Sequence, residues 1–535
     1  MYDYVVVGAG SAGCVLAARL SEDPAITVLL LEAGGSDDAD EVGIPLAFSQ
    51  LFRTRHDWAF TTTPQEHAGS RSLFWPRGRL LGGSSSINAM IYIRGNSLDY
   101  DSWRDDYGCA GWGYADLLPY FLRSEDQAHG ASAYHGIGGP LRVEDQRYLH
   151  PLTRSFVDAA VASGRRRTGD FNGAEQEGVG PYQVTMKRGR RWSAADAYLR
   201  PAQDRPNLTV RTEALATRVV IEGGRAVGVT YLRCGAEEVA RAGTDVVLSG
   251  GSINSPQLLM LSGIGPAAHL REHGIRVVVD LPAVGANLQD HPVVPVLWFT
   301  AGVSRDLNDA GVRDLVRWRL TRRGMLASNV AESGAFFRSD SALPAPDLQL
   351  HVAPAAFLDH GLSESIGHGF TIGPTLVSVA SRGRLTLRSA DPRWAPAIDP
   401  AYLSEQADVD ALVAGIGVAR EIGAQGPLSG HLAPEHLPGP EVSGVEALRN
   451  YVRGNIETLY HPVSTCAMGG GTDSVVDPRL RVRGVDGLCV VDASVMPAAP
   501  RGNTNAPTIA IAERAADLLR GRAPLAPAQL TAAVP

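Results

Sequence analysis

The first 32 residues constrain the fold of this chain more than any other stretch. An apolar run, Tyr4–Val7, leads into the glycine stretch GAGSAG at 8–13, and a helical pattern of apolar residues follows. A second apolar run, Ile26–Leu31, ends on Glu32. The order strand, G-x-G-x-x-G, helix, strand and acid predicts a βαβ unit that binds a dinucleotide.

Each glycine of this stretch has a mechanical reason. Gly8 allows the tight turn, Gly10 lets a pyrophosphate approach the backbone, and Gly13 lets helix and strand pack closely. Ser11 opens the helix, whose N-terminus favours phosphate charge. Glu32 is expected to accept hydrogen bonds from the adenosine ribose. An acid at this position argues against NADP, and the stretch alone leaves FAD and NAD both open.

Composition and charge exclude several other classes of protein. The 535 residues suggest two large lobes, and the net charge of −8 makes nucleic acid an unfavourable partner. The five cysteines lack C-x-x-C spacing, which argues against a metal site or a disulfide framework. With no secretory signal pattern and no apolar run that could span a membrane, we predict a cytoplasmic protein.

A second stretch of small residues, RLLGGSSSIN at 79–88, raises the question of what must approach it closely. Such composition is usual in surface loops. It also suits a site for a flavin ring or a phosphate, since glycines leave room and serines offer hydroxyls and amides. We therefore assign cofactor contacts to five of its residues: Arg79, Gly82, Gly83, Ser84 and Asn88.

Longer motifs add a family resemblance. GRLLGGSSSINAMIYIRGNSLDYD, from residue 78, and GSINSPQLLMLSGIG, from residue 251, resemble the two signature motifs of the glucose-methanol-choline (GMC) family of FAD-dependent oxidoreductases. The similarity runs from residue 3 to about 520 through RWSAADAYL, VGANLQDHP, HPVSTCAMG and GNTNAPTIAIAERAAD. It implies a flavin domain built from discontinuous segments and a second domain with an antiparallel sheet.

The expected fold is α/β, or α+β overall, with a Rossmann-like FAD-binding domain and an antiparallel-sheet substrate-binding cap. The FAD-binding domain is assigned residues 1–150, 205–290 and 445–522. The substrate-binding domain is assigned residues 151–204 and 291–444, and residues 523–535 form a frayed tail. The strands predicted for the cap are VVPVLWFT, DLQLHVAP, FTIGPTLVSVAS and RLTLRS.

Several local elements accompany this layout. A two-glycine hairpin turn is predicted at 222–225, and a helix over NAPTIAIAERAADLL. The strand in GLCVVDASVMP ends near Asp492 and Ala493, which we assign to the cofactor site. The polar, glycine-rich stretch 124–140 is either a lid or a surface loop.

Alcohol oxidation requires a base for the hydroxyl proton, while the flavin takes the hydride. Histidine suits the role because its ordinary pKa of about 6.5 lies close to working pH. By the resemblance, His461 matches the catalytic base and Asn505 its hydrogen-bonding partner. His351 and Tyr460 are weaker candidates for the substrate cavity. Ile87 stands where some relatives carry a histidine that attaches FAD covalently, which implies non-covalent FAD here.

The resemblance implies an FAD-dependent dehydrogenase or oxidase that converts an alcohol, most naturally a primary one, to an aldehyde. Its partners are then a small-molecule alcohol and an electron acceptor, either dioxygen or a quinone or other carrier. Two alternatives stay open: oxidation of a sugar or aminosugar hydroxyl, and non-redox chemistry such as that of a hydroxynitrile lyase.

Overall fold

A parallel sheet forms the centre of the part of the chain that the computed structural model describes, residues 1–303, 305–364 and 366–530. Tyr2–Val7 lies between Val28–Leu31 and Ala236–Leu248 and pairs in parallel with both. Leu208–Arg211 and Leu488–Val490 add parallel strands at either side. Strands covered on both faces must be apolar throughout, which explains the uninterrupted runs in the sequence.

An antiparallel meander extends the same sheet to seven strands. Ala214–Glu222 pairs with Arg225–Arg233, which pairs with the first half of Ala236–Leu248. Glu222 lies opposite Arg225, and Gly223 and Gly224 between them have φ of 57° and 80°. Positive φ at both central residues is the requirement of a two-residue hairpin turn, so the predicted hairpin is confirmed.

A second sheet has eight strands. Its strands pair antiparallel in the order Leu432–Leu437, Val296–Thr300, Gly369–Leu376, Leu348–Ala353, Ser333–Phe337 and Gly178–Pro181, with Pro292–Val293 and Glu457–Thr458 attached at one side. Three of the four predicted strands lie in it. The fourth is different: Arg384–Thr386 forms a separate hairpin with Ala397–Asp399.

The helices pack against both sheets and against one another. Their bounds are Ser11–Leu20, Asp40–Gly43, Ser97–Asp105, Tyr114–Ser124, Pro151–Ala162, Arg200–Ala202, Gly251–Leu261, Ala267–Glu272, Val312–Thr321, Gln406–Gly423, Gly426–Ser429, Val445–Asn455 and Asn505–Leu519. The last of these is the helix predicted from NAPTIAIAERAADLL. Among the helices of the described ranges, none is long and apolar enough to cross a membrane.

Two stretches, 124–140, expected to be a lid or a surface loop, and the tail, expected to be frayed, both make contacts with the rest of the protein. The 124–140 stretch contains the strand Glu125–Gln127, and Glu125 makes a fully buried ion pair of 2.8 Å with Arg94. In the tail, the backbone N–H of Ala528 donates to the carbonyl of Ala115 at 2.8 Å. The tail is therefore anchored over its described part rather than frayed, and 531–535 lie outside the described residues.

Candidate active site

A cavity of about 350 Å³ opens at the carboxyl ends of the parallel strands. The residues that follow these strands, Gly8, Glu32, Ser249 and Asp492, all line it. Ligands of open α/β sheets bind at this edge because the loops that leave the strands diverge there. Residues of the eight-stranded sheet, His351 among them, close the opposite side of the cavity.

The glycine-rich stretches meet each other at the cavity. A Cβ atom on Gly83 would lie 2.7 Å from the Cα of Gly10, and the N–H of Gly82 donates to the carbonyl of Ala9 at 2.8 Å. On Gly10 itself, an added Cβ would find its nearest neighbour, the Cα of Gly83, 4.0 Å away. The small residues of the GGSSS stretch are therefore needed first because this loop contacts the other glycine loop. The backbone at Gly10 itself faces open space.

Two buried carboxylates hold glycine loops at the cavity, one at Ala9 and the other at Gly251. Glu32 accepts hydrogen bonds from the N–H groups of Ala9 and Gly34, both at 2.8 Å, and burial raises its pKa to about 7. Asp492 accepts from the N–H of Gly251 at 2.8 Å and from the Ser255 hydroxyl at 2.6 Å. Both carboxylates border the cavity and stabilise the loop geometry there.

The other predicted cofactor residues either line the cavity or support its wall. Ser11, Ser84, Asn88 and Ala493 belong to the lining. Among the residues described, Gly13, Gly82 and Arg79 are absent from it. A Cβ on Gly13 would collide with the Gly8 carbonyl, and the Arg79 guanidinium lies over the Trp58 ring at 5.0 Å from its centroid. These three residues support the wall from behind.

The backbone before His461 is strained and held in place. Tyr460 has a φ of 71°, which is uncommon for a side chain of its size. The Arg77 guanidinium donates to the Tyr460 carbonyl at 2.6 Å, and the N–H of His461 donates to the Asp290 carboxylate at 2.6 Å. Such strain persists only where the surroundings fix the backbone, and it turns the His461 side chain into the cavity.

Asn503, rather than Asn505, is the partner of this histidine. Asn503 Nδ2 lies 3.2 Å from His461 Nε2, and Gln349 donates to Asn503 Oδ1 at 3.3 Å. Asn505 Oδ1 instead accepts from the Ser11 hydroxyl at 2.6 Å. The expected pairing of Asn505 with His461 is thus corrected: Asn505 is the first residue of the helix Asn505–Leu519, and its side chain joins that helix to Ser11 at the start of another.

His291 contacts the other nitrogen of the His461 ring. The two Nδ1 atoms lie 3.0 Å apart, and His291 is fully buried. Burial lowers the pKa of His291 to about 3. Burial, then the neighbouring His291, His351 and Arg77, lower the pKa of His461 well below its ordinary value. Both rings are therefore neutral near pH 7, and between the two Nδ1 atoms one ring donates while the other accepts.

The weaker candidates His351 and Tyr460 both line the cavity. His351 Nδ1 lies 3.0 Å from the Thr375 hydroxyl, and burial lowers its pKa to about 3. The Tyr460 hydroxyl lies 2.6 Å from Nδ1 of His360. His351 and Gln349 stand two apart on one strand and so share the face toward the cavity, which is how the strand supports Asn503.

Sequence reasoning did not single out His291, Gln349 or Asn503. His291 falls in VGANLQDHP, Asn503 in GNTNAPTIAIAERAAD, and Gln349 precedes His351 by two residues. A closer inspection of polar residues inside these motifs could have found them.

Comparison with known proteins places the chain in a family. Two profiles described as GMC oxidoreductase match residues 2–293 and 379–512. The chain belongs to the GMC oxidoreductase family. The resemblance drawn from the sequence is confirmed, as is the α/β fold, and with them an FAD-dependent oxidoreductase acting on CH–OH groups.

Named relatives of this GMC oxidoreductase cover nearly its full length. It is 47% identical over 528 residues to "Alcohol dehydrogenase [acceptor]" of Pseudomonas putida, covering 97% of this chain and 96% of the relative. It is 44% identical over 540 residues to the human "Choline dehydrogenase, mitochondrial", covering 97% and 90%. Pyridoxine 4-oxidase from Mesorbium loti superposes with a TM-score of 0.90 at 33% identity, covering 98% and 100%.

The residues of the cavity fit the FAD on which this family depends. Glycine backbone at Gly10 is open to a ligand, and a helix begins at Ser11. Four further lining residues have buried polar atoms without a partner among the described residues: Ser249 Oγ, Asn254 Oδ1, Asn329 Oδ1 and His351 Nε2. Buried polar atoms are costly unless paired, so such atoms in a cavity wall indicate a polar ligand.

Proposed function

We propose that this GMC oxidoreductase oxidises a primary alcohol to the aldehyde, with His461 as the base that removes the hydroxyl proton. When bound, FAD supplies the acceptor for the hydride that leaves the alcohol carbon. The observation that carries the proposal is the position of His461 Nε2, which lines the cavity beside the amide of Asn503.

The hydrogen bonds around His461 favour the form that a base needs. Gln349 donates to Asn503 Oδ1, which leaves the Asn503 amide N–H to face His461 Nε2. An N–H facing Nε2 requires that nitrogen to be unprotonated, so the ring proton lies on Nδ1 and is donated to His291. His461 is then a neutral imidazole with its free nitrogen toward the cavity.

We assign Asn503 the role of holding the substrate oxygen. Its amide N–H lies beside the nitrogen that takes the proton, so an alcohol oxygen in that place is bound by the amide while it gives up its proton. A donor aimed at developing negative charge is worth about 100-fold to 1,000-fold in rate. Asn505, the residue that the sequence predicts for this role, retains a proposed part in the cavity wall through Ser11.

The wall beside His461 favours an alcohol with an apolar substituent. Tyr460 contacts Phe52, with ring centroids 6.0 Å apart, and Phe52 contacts Phe48 at 5.7 Å. Phe357 adjoins Phe48 at 6.4 Å, and all four rings belong to the cavity lining. An aromatic wall stabilises a hydrocarbon chain by burial, whereas it leaves the other hydroxyls of a sugar unpaired.

Non-covalent FAD is a further part of the proposal. Ile87 lines the cavity and packs in one cluster with Phe48, Phe52 and Phe74. An isoleucine offers no nucleophile, and the side chain that replaces the expected histidine here is buried among apolar neighbours.

An anaerobic titration of the purified yellow protein tests the reaction. Benzyl alcohol or 1-hexanol is expected to bleach the flavin absorbance, whereas glucose is expected to leave it unchanged; choline serves as a third, cationic primary alcohol. Aldehyde should appear in an amount equal to the flavin reduced. Admission of air, then of a soluble quinone, distinguishes an oxidase from a dehydrogenase. Failure of every alcohol to reduce the flavin would contradict the proposal and would favour lyase chemistry.

A further inference from the structure

An exposed apolar stripe runs along the helix Val312–Thr321, which we call the arginine helix. Val312, Val316 and Leu320 are 78%, 53% and 80% exposed. They stand four residues apart, so they fall within a sector of about 80° on the helix surface. Large exposed apolar side chains are ordinary when scattered singly, but three aligned on one short helix form a contiguous apolar surface.

The opposite face of this helix fixes its orientation. Trp318 is buried with Ile44, Ala47 and Ala327, and Leu315 packs against the same group. The Trp318 indole N–H donates to the Gly189 carbonyl at 2.9 Å. The helix is therefore packed against the protein through its Trp318 face, and this packing leaves the apolar stripe pointing away from the protein.

Arginines flank the stripe on both sides. Arg313 and Arg317 lie along one flank and Arg319 along the other, and Arg322 and Arg323 follow at the end of the helix. Within 312–323 the single acid is Asp314, and Arg305 binds its carboxylate at 2.7 Å. Arg319 contacts Asp40 at 2.6 Å. The Arg322 guanidinium packs over the Trp318 ring, 4.0 Å from its centroid, so the exposed arginines number four in twelve residues. They form a strongly positive patch on a chain whose net charge is −8.

The charge of this surface selects its occupant. A symmetric contact with a second copy of the chain would place the arginines of one helix against those of the other, which is unfavourable. An anionic lipid bilayer satisfies both features, because phosphate groups bind the arginines while Val312, Val316 and Leu320 enter the acyl boundary. A basic amphipathic helix of this kind lies in the membrane interface.

We propose that the arginine helix docks the protein reversibly on the surface of an anionic bilayer. The same segment leads directly into the cavity wall. After the helix come Met325–Ala327 and then Asn329, Val330 and Ala331, which line the cavity. Docking through this face thus holds at the lipid surface a helix whose chain continues into the cavity wall. The proposal concerns binding only and stands whether or not the proposed reaction is correct.

Vesicle sedimentation with the full-length, flavin-loaded protein tests this docking. The vesicles are equimolar phosphatidylglycerol and phosphatidylcholine, or phosphatidylcholine alone. Two variants remove the features separately: V312N/V316N/L320N removes the stripe, and R313Q/R317Q removes charge from one flank. V239N/V445N is the matched control, because these valines are 53% and 55% exposed elsewhere on the molecule. Circular dichroism verifies that each variant is folded.

Binding to the anionic vesicles is expected for the wild type and for V239N/V445N, with at least about tenfold weaker binding to the neutral vesicles. Each of the other two variants is expected to bind the anionic vesicles at least about tenfold more weakly than wild type. Equal binding by either of these variants, or no binding by the wild type, would overturn the proposal. If the wild type forms a dimer in light scattering and V312N/V316N/L320N abolishes it, the proposal is overturned and the occupant of the stripe is a second copy of the chain. If the protein captures an acidic protein and does not bind vesicles, the proposal is overturned and the occupant is a protein partner.

Discussion

The Nδ1 atoms of His291 and His461 face each other at 3.0 Å inside the protein. Because both rings are neutral near pH 7, one proton lies between them and sets which nitrogen of His461 is free. On the other side of the His461 ring, Gln349 orients Asn503 so that the Asn503 amide N–H faces Nε2, which also keeps Nε2 unprotonated. The four side chains form one line of hydrogen bonds, and its two middle members, His461 and Asn503, line the cavity. This arrangement leaves Nε2 of His461 able to accept a proton.

Asn503 and Asn505 can be distinguished by parallel substitution. Asn503→Ala removes the amide beside His461 Nε2, and we expect flavin reduction by an alcohol to slow by about 100-fold. Asn505→Ala removes the bond to Ser11 and is expected to cost about 1 kcal/mol of stability, with a much smaller loss of rate. Stopped-flow reduction and thermal unfolding of both variants give the comparison. A larger loss of rate in Asn505→Ala would restore the original assignment.

Contact between the glycine loops predicts a specific sensitivity at Gly83. Its φ is 53°, and an added Cβ would lie 2.7 Å from Gly10, so Gly83→Ala must displace one loop. We expect a loss of about 1–3 kcal/mol in stability and a lower FAD content in the purified protein. Gly417→Ala is the control, because an added Cβ there meets nothing within 4 Å in the helix Gln406–Gly423. That variant should be stable and fully loaded.

The proposed mode of FAD attachment predicts what denaturation releases. With Ile87 in the place of a reactive side chain, acid precipitation of the protein should leave all of the flavin in the supernatant. Mass spectrometry of the pellet should give the mass of the unmodified chain. Flavin that stays with the precipitated protein would show a covalent link and would refute this part of the proposal.

Features of this site that depend on residues close together in the chain could be predicted from the sequence, whereas features that depend on residues far apart in the chain could not. The loop at 8–13, Glu32 and the hairpin at 222–225 follow from neighbours along the chain, and these were predictable. Choosing between Asn503 and Asn505 was not, because the choice depends on how the chain enters the last helix and on a Gln349 some 150 residues earlier.

The sequence also did not show which strands belong to the second sheet. RLTLRS is as apolar and β-prone as the three segments that do join the sheet, yet Arg384–Thr386 pairs with Ala397–Asp399. The residues of a strand indicate that it is a strand and do not indicate which strand lies beside it. Similarly, Glu457–Thr458 pairs with Pro292–Val293 of the second sheet, although its segment was assigned to the FAD-binding domain.

Burial of His351 predicts a pH dependence of stability. Its pKa is about 3 in the folded protein against 6.5 when exposed, so between these values the unfolded chain binds a proton that the folded chain does not. The stability contributed at this position is therefore constant above pH 6.5 and falls as the pH drops. At pH 5.5 the loss is about 1.4 kcal/mol.

His351→Leu isolates this contribution, since the other titrating groups are common to both proteins. Thermal unfolding at pH 7.5 and pH 5.5 should show the wild type losing more stability than the variant on acidification. A difference between the two proteins that is the same at both pH values would mean that His351 is not kept neutral by burial.

The most direct test of the account is the rate at which an alcohol reduces the flavin of His461→Ala under anaerobic conditions. We expect a reduction rate at least about 100-fold below that of wild type, with the flavin spectrum and FAD content unchanged. His129→Ala, a histidine whose side chain is 58% exposed beside Asp145, serves as the control and should reduce at the wild-type rate. Reduction of His461→Ala at near the wild-type rate would contradict the central claim that this imidazole removes the hydroxyl proton.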